Sequence, residues 1–317
     1  MTGSSHAALN VQPRAPIGVF DSGVGGLSVL RAIRQQLPAL PVIFLADQAH
    51  VPYGPRSLEQ VRFFSEAISR YLLSRGCRLI VVACNAASAA ALHHLRQKFP
   101  GTPFVGMEPA VKPAAETTRT DVVGVLATPA TFQGALYASV VERFANGVTL
   151  LQHTCPGLVA QIEAGQLDTP RTRRILEDAL KPMLAQGIDT VVLGCTHYPF
   201  VIPLIQEITG PGVRVIDPAP AVARQVSRLL ESTGELGVLG RVGAGECKGG
   251  QNPPDHAFEP VPTQNVQYSD MLSPRVLAPV EYLTTGEAGG LRVLLPRLLG
   301  EEGEVRSLHW DEDAILV

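Results

Sequence analysis

Pro16-Ile17-Gly18-Val19-Phe20-Asp21-Ser22-Gly23-Val24-Gly25-Gly26-Leu27 is the stretch on which the fold turns. Pro16 to Phe20 is an apolar run of strand length, Asp21 to Gly26 is a glycine-rich turn, and Leu27 to Leu37 keeps helical periodicity up to the break at Pro38. A strand that passes through a tight turn into a helix is one βα unit. The chain then repeats the unit. Strand Val42 to Ala46 is followed by Ser57-Leu58-Glu59-Gln60, which has the S-x-x-Q form of a capping box and opens a helix running to Arg75 and ending at Gly76. Strand Arg78 to Ala83 ends directly at Cys84. This alternation predicts an α/β fold of mainly parallel sheets flanked by helices.

Beyond Glu108-Pro109 the scheme begins again, with strand Val122 to Leu126, a helix carrying Pro129 in its first turn, strand Val148 to Gln152, helix Pro170 to Ala185, strand Thr190 to Leu193, and then a second cysteine, Cys195. Gly18-Val19-Phe20-Asp21-Ser22 parallels Gly124-Val125-Leu126-Ala127-Thr128, and Val81-Val82-Ala83-Cys84-Asn85 parallels Val192-Leu193-Gly194-Cys195-Thr196, at offsets of 106 and 111 residues. An ancient duplication explains both matches; two short strand matches also arise by chance, and both explanations stay open. The chain is expected to return to the first domain through Val213 to Ile216 and helix Ala219 to Leu230. Strand Val280 to Thr284, helix Ala288 to Leu299 and a last strand near Val305 to His309 then complete it. The expected architecture is two pseudo-symmetric α/β domains, 16–108 plus 218–317 and 109–217, with the active site in the cleft between them. Residues 1–15 read as a flexible tail, and 233–274, rich in Gly, Pro, Asn and Gln without apolar period, as a long loop.

A length of 317 residues suits two domains at about 150 residues each. Hydrophobic residues at 45%, charged residues at 17% and a mean hydropathy of +0.15 supply enough apolar material for buried cores. The net charge of -3 comes with no Lys/Arg run, so the cationic surface that a phosphate backbone requires is missing and nucleic acid is not an expected partner. Apolar runs such as Leu79 to Ala83 are strand-sized, far below the roughly 20 residues that span a bilayer. Residues 1–16 also lack the charged start and apolar block of a signal peptide, so the expectation is a cytoplasmic protein without a membrane partner. Cysteines 77, 84, 155, 195 and 247 are odd in number and show no CxxC spacing. They fit neither a disulfide framework nor a zinc site, so no metal is expected and each thiol is either inert core or chemistry.

The glycine turn is not a nucleotide fingerprint, because Ser28 stands where G-x-G-x-x-G requires glycine and no G-K-[ST] follows. Its backbone N–H groups and helix N-terminus suit a small carboxylate; a tight turn with Asp21 as a cap is the other reading. Pro52-Tyr53-Gly54, preceded by Asp47, lies after the second strand at the carboxyl edge of the sheet, where open α/β folds bind ligands, although such a tripeptide alone is simply a turn. Cys84-Asn85 ends a strand and starts the small-residue helix Ala86 to Leu92, a position that favours thiolate. Cys195-Thr196-His197 has the same placement, with an imidazole two residues on. Taken singly, each cysteine reads first as a buried structural thiol. Together, at equivalent ends of two similar halves, they point to a pair facing one cleft.

The chemistry that needs such a pair is inversion at a carbon bearing hydrogen, since a proton must leave one face and another arrive at the opposite face. A cysteine of ordinary pKa is only about 3% thiolate at pH 7, so full ionisation supplies at most about thirtyfold, or roughly 2 kcal/mol. Most of the acceleration must therefore come from holding the substrate in line and stabilising the developing carbanion at its carboxylate.

Ile17 to Leu27, Pro52-Tyr53-Gly54-Pro55-Arg56, Ala83-Cys84-Asn85, Gly124 to Thr128, Leu193-Gly194-Cys195-Thr196-His197-Tyr198-Pro199 and, near the end, Tyr282-Leu283-Thr284-Thr285-Gly286 occur in an order and spacing that resemble the aspartate/glutamate racemase superfamily, in its glutamate-racemising branch. The resemblance implies racemisation of L- and D-glutamate without pyridoxal phosphate, metal or other cofactor, supplying D-glutamate for peptidoglycan. It implies that Cys84 works on D-glutamate with Asp21 in support, and Cys195 on L-glutamate supported by His197 and Glu163. It places Asp21, Ser22, Tyr53, Gly54, Asn85, Ala86, Thr128, Thr131, Thr196 and His197 around the substrate. The expected partner is that small molecule, and a homodimer is allowed for. Two departures stand out: Ala86 replaces the family's usual threonine after Cys-Asn, removing a hydroxyl from the substrate's polar end, and 233–274 is longer than the family leads one to expect. A two-cysteine racemase for aspartate or a hydantoin is the alternative that Ala86 keeps open, and a non-catalytic protein that binds a small molecule in the same cleft is a second.

Overall fold

The computed structural model describes residues 15–232, 277–312 and 314–316. The expected tail (but for residue 15), the expected loop 233–274 and Cys247 lie outside the described residues. The first half runs β1 (Ile17–Asp21), α1 (Gly26–Gln36), β2 (Val42–Ala46), α2 (Leu58–Ser74), β3 (Ile80–Val82), α3 (Asn85–Lys98) and β4 (Phe104–Val105). After α4 (Val111–Thr117) come β5 (Val122–Ala127), α5 (Pro129–Gln133), α6 (Ala135–Phe144), β6 (Thr149–His153), α7 (Leu158–Glu163), α8 (Pro170–Ala185), β7 (Thr190–Gly194), a 3-10 turn at Tyr198–Val201, α9 (Ile202–Thr209) and β8 (Arg214–Ile216). The chain closes with α10 (Ala219–Ser232), β9 (Val280–Thr284), α11 (Ala288–Leu298), β10 (Val305–Ser307), β11 (His309–Asp311) and β12 (Ala314–Leu316).

Two parallel sheets result, one of six strands in the order β10-β9-β2-β1-β3-β4 and one of four in the order β6-β5-β7-β8. Every residue of β1, β2 and β7 is buried, as a parallel strand covered by helices on both faces requires. The β2-β1-β3-β4 portion of the first sheet and the whole second sheet share one order, second-first-third-fourth, so the pseudo-symmetry suggested by the paired motifs is present in the topology. It puts Cys84, after β3, and Cys195, after β7, at equivalent strand ends. Strands β9 and β10 extend the first sheet beyond β2, so that sheet is built from both ends of the chain.

Local signals account for the starts of α2 and α8. Ser57 accepts from the backbone N–H of Gln60, whose side chain in turn accepts from the Ser57 N–H, both at 3.2 Å, forming the full capping box. Thr169 caps α8 by accepting from the Thr172 N–H, with Pro170 in its first turn.

Four features depart from the sequence reading. Strand β8 does not carry the chain into the first sheet but pairs in parallel with β7, Thr190 opposite Arg214; the return is made by α10, whose Val222, Val226 and Leu230 pack in one core with Leu27 and Leu30 of α1. Helix α3 is longer than its small-residue start, running to Lys98. The helix begun by Pro129 is two short helices broken at Gly134, where a Cβ would lie 2.6 Å from that of Ala89. The β11–β12 hairpin, strand β4 and helix α4 had no recognisable signal, being three residues or fewer per strand, or one turn past a proline.

Candidate active site

The carboxyl ends of β1, β3, β5 and β7 deliver their next residues to one place. Ser22, Pro52, Tyr53, Gly54, Cys84, Asn85, Ala86, Thr128, Val159, Cys195, Thr196 and His197 line a single cavity between the two sheets. Its free volume is about 20 Å³, room for a single water. A wider groove bounded by Arg119, Asp189, Glu207 and Arg214 lies at the opposite, amino end of the second sheet and holds none of the expected site residues. Chemistry, not size, selects the smaller cavity.

On the first sheet, Cys84 is the N-cap of α3, its Sγ accepting from the Ala87 N–H at 3.5 Å and lying 4.0 Å from Ser22 Oγ. The helix N-terminus does favour thiolate here, but it loses: burial pushes the Cys84 thiol well up, and the neighbouring Asp21 carboxyl adds to the shift. Cys84 rests protonated. Asp21 lies behind the lining, fully buried, accepting from the Ser22 N–H at 2.6 Å and from Thr196 Oγ1 at 3.0 Å. Burial also raises its carboxyl pKa, opposed by the nearby His197 and by hydrogen bonds from Cys84, Thr196 and Ser22.

On the second sheet, Cys195 Sγ is 3.8 Å from His197 Nδ1, and His197 Nε2 is 2.6 Å from Glu163 Oε1. Burial opposes the charged imidazole, yet the hydrogen bonds to Cys195 and Glu163 hold His197 well above the ordinary histidine range. Glu163, at the end of α7, is desolvated too, but its bonds to His197, Gln48 and the Val24 N–H outweigh burial and keep its carboxyl below the usual value. The glycine turn thus accepts a carboxylate as expected, but the carboxylate is the protein's own: Val24 N–H donates to Glu163 Oε1 at 2.7 Å. The glycines permit it. A Cβ on Gly23 would overlap the Glu163 carboxylate, and one on Gly25 would overlap both the His197 ring and Asp21.

The remaining expected residues divide into lining and support. Asn85 is 3% exposed, and neither Nδ2 nor Oδ1 of its amide finds a protein partner. Ala86 forms wall where a hydroxyl is missing. Tyr53 is fully buried and donates through its phenol to Asp47 Oδ2 at 2.6 Å. The Gly54 carbonyl accepts from the Ala130 N–H at 3.1 Å, tying this loop to α5. Thr128 reaches the cavity; Thr131 does not, its hydroxyl lying 3.1 Å from that of Thr128. Sequence reasoning missed Val159 in the lining, and missed the buried carboxylate of Asp47 as a hub that also accepts from Thr285 Oγ1 at 2.6 Å and Trp310 Nε1 at 2.8 Å. Thr285 and Trp310 come from distant segments, so no local signal marks this hub.

Two thiols at matching strand ends of the two sheets line one small cavity. The chain belongs to the Asp/Glu/hydantoin racemase family, which it matches across residues 17–226. The glutamate racemase of Ectopseudomonas mendocina is 44% identical over 294 residues, covering 93% of this chain and 98% of the relative. That of Roseiflexus sp. is 52% identical over 223 residues, 70% of this chain and 82% of its own. Among solved structures, a glutamate racemase from Bacillus anthracis superposes with a TM-score of 0.75 at 28% identity, covering 95% of this chain and 99% of that one. The Escherichia coli glutamate racemase, bound to L-glutamate and an activator, does so with 0.71 at 30% identity over 96% and 100%. Among the described residues no helix is long and apolar enough to cross a membrane.

Proposed function

We propose that this protein interconverts L- and D-glutamate by proton transfer between Cα and two cysteines, as part of supplying D-glutamate for the bacterial cell wall. The carrying observation is that Cys84 and Cys195, from equivalent strand ends of the two sheets, line the same cavity. The reading divides the chain into domains of 16–108 plus 218–317 and of 109–217, with the substrate between them. In the L-to-D direction Cys195 takes the α-proton, beside the imidazole of His197, whose bonds to Cys195 and Glu163 favour its cationic form. The proton delivered to the opposite face comes from Cys84, which burial keeps as thiol. The charge left on Cys84 is met by the Ala87 N–H. Asn85 offers an unpaired amide and Thr128 a hydroxyl to the substrate's carboxylates, where carbanion charge develops. No step of this scheme calls for a cofactor.

The test follows deuterium at Cα in D2O for each glutamate enantiomer with wild type, Cys84→Ser and Cys195→Ser. Both variants should lose most racemisation, and any residual exchange should be confined to one enantiomer. Full activity in either would remove that thiol from the mechanism. Ala86 at the cavity wall gives the aspartate alternative its footing; faster turnover of aspartate than of glutamate would replace the substrate in this proposal.

A further inference from the structure

The Thr284-Thr285-Gly286 segment at the end of β9 has no part in the mechanism above, yet its side chains point back at the site. We propose that Gln48, held by Thr284, is a positioning residue for the Cys195 half of the reaction. The inference rests on the reading in which Glu163 and His197 serve Cys195.

The hydrogen bonds have a forced direction. Gly286 N–H donates to Thr284 Oγ1 at 3.0 Å, so the hydroxyl proton of this fully buried threonine is turned toward Gln48 Oε1, 2.8 Å away. With its carbonyl committed, the Gln48 amide presents its NH2 to Glu163 Oε2 at 3.0 Å. Glu163 Oε1 in turn holds the Val24 N–H at 2.7 Å and His197 Nε2 at 2.6 Å. A polar chain therefore runs from a backbone N–H after β9 to the imidazole beside Cys195. Gly286 packs onto the stem of Gln48, since a Cβ there would lie 2.9 Å from Gln48 Cβ.

The carboxyl torsion of a glutamate is soft, so an oxygen held on one side only can swing. Val24 fixes one oxygen and Gln48 the other, and with both fixed the His197 ring cannot drift from Cys195. Among the described contacts of Glu163, Gln48 is the only side chain from the first sheet, so it sets the geometry of the second-sheet thiol when the halves are together. Among the described residues no hydrogen bond links Gln48 to Cys84.

The assay must read one thiol at a time, which racemisation does not. The α-enantiomers of 3-chloroglutamate do so: removal of the α-proton expels chloride from Cβ, and the resulting enamine tautomerises to an imine that water hydrolyses to 2-oxoglutarate and ammonia, with no reprotonation by the second thiol. Cys84→Ser and Cys195→Ser first assign an enantiomer to each thiol. Gln48→Leu and Thr284→Val should then slow chloride release from the Cys195 enantiomer by about tenfold, the scale of a lost hydrogen bond to a carboxylate, and leave the other within about twofold. Thr284→Ser, which keeps the hydroxyl, should restore the rate. Equal slowing of both enantiomers, or of neither, overturns the positioning role. If the two cysteine variants do not divide the enantiomers between them, the two-thiol reading falls and takes this inference with it.

Discussion

Replacing Asn85 by alanine should damage the enzyme and not the fold. The amide is 3% exposed and both of its polar atoms lack a protein partner, a condition that costs about 1–3 kcal/mol per unpaired group. Truncation to alanine removes that cost and forfeits packing worth about one methylene, or roughly 0.8 kcal/mol, next to a cavity that already exists. With the amide counted as one unpaired group, the net is a stability change between about 0 and +2 kcal/mol. At roughly 2 °C per kcal/mol for a chain of this size, the ligand-free Tm should hold or rise by up to about 4 °C. A buried asparagine with its bonds made would instead lose stability on the same change. Substrate binding should respond in the opposite sense, since a hydrogen bond to a charged group contributes about 1.5–3 kcal/mol, and kcat/KM should fall roughly tenfold to a hundredfold. Thermal unfolding with and without saturating D-glutamate, paired with racemisation followed by polarimetry, separates the two. A ligand-free Tm lowered by several degrees, or an unchanged kcat/KM, would refute the reasoning, because either means the amide is already satisfied within the fold.

Asp21→Asn should raise stability at pH 7 while abolishing most activity. Burial lifts the folded carboxyl above its unfolded value of 3.8, so ionising it opposes folding as pH rises past that point, and comparing urea midpoints at pH 4 and pH 7 checks the sign. His197 goes the same way in pKa but with the cationic form as the stabilising one. Despite burial, its bonds to Cys195 and Glu163 raise it well above 6.5, so its contribution is complete below pH 6.5 and fades as pH climbs through the folded value. Glu163 is depressed below 4.5, so its contribution holds above that pH and is lost on acidification; His197→Asn should flatten the alkaline arm of a stability-against-pH curve, and an unaltered arm counts against the pairing. Gly54→Ala puts a Cβ 2.8 Å from that of Thr128 and should cost about 1–3 kcal/mol in a denaturant melt, along with a raised KM; a neutral effect would mean the loop gives way freely.

The legible parts of the molecule are those whose cause is local. A strand, a glycine turn and a helix in sequence define the βα unit from Ile17 onward, and Ser57 with Gln60 marks the start of α2 before any tertiary contact is considered. Cys84 and Cys195 were visible as a pair because the chain presents them in matching phrases. Glu163 came from the family resemblance alone: nothing around it distinguishes a site carboxylate from a charge on a helix, and its bonds to Val24, 139 residues away, and to His197 form only in the fold. Asp47 and Gln48 were hidden for the same reason, as their partners Thr284, Thr285 and Trp310 arrive from more than 230 residues later. The glycine turn was half legible. Its fitness for a carboxylate follows from bare backbone N–H groups, but which carboxylate arrives is a property of the second half of the chain. Val213 to Ile216 misled because a strand that closes one sheet and a strand that opens the next look alike until their neighbours are known.

The two halves of the site differ in how comfortably they hold their polar groups, and that difference matches the two tasks of the proposed mechanism. On the first sheet Asp21 is a carboxyl disfavoured by burial, Asn85 an amide without partners, and Cys84 a thiol that burial holds neutral. On the second sheet Glu163 and His197 satisfy one another and anchor to Val24 and Gln48. A proton donor should be kept from ionising before substrate arrives, which desolvation does without any dedicated partner. A proton acceptor needs a nearby positive charge that is itself held in place, which requires a chain of hydrogen bonds. In the reverse direction the roles exchange, and each thiol must do what its surroundings resist. Since the equilibrium between mirror-image substrates is unity, the asymmetry cannot favour either product.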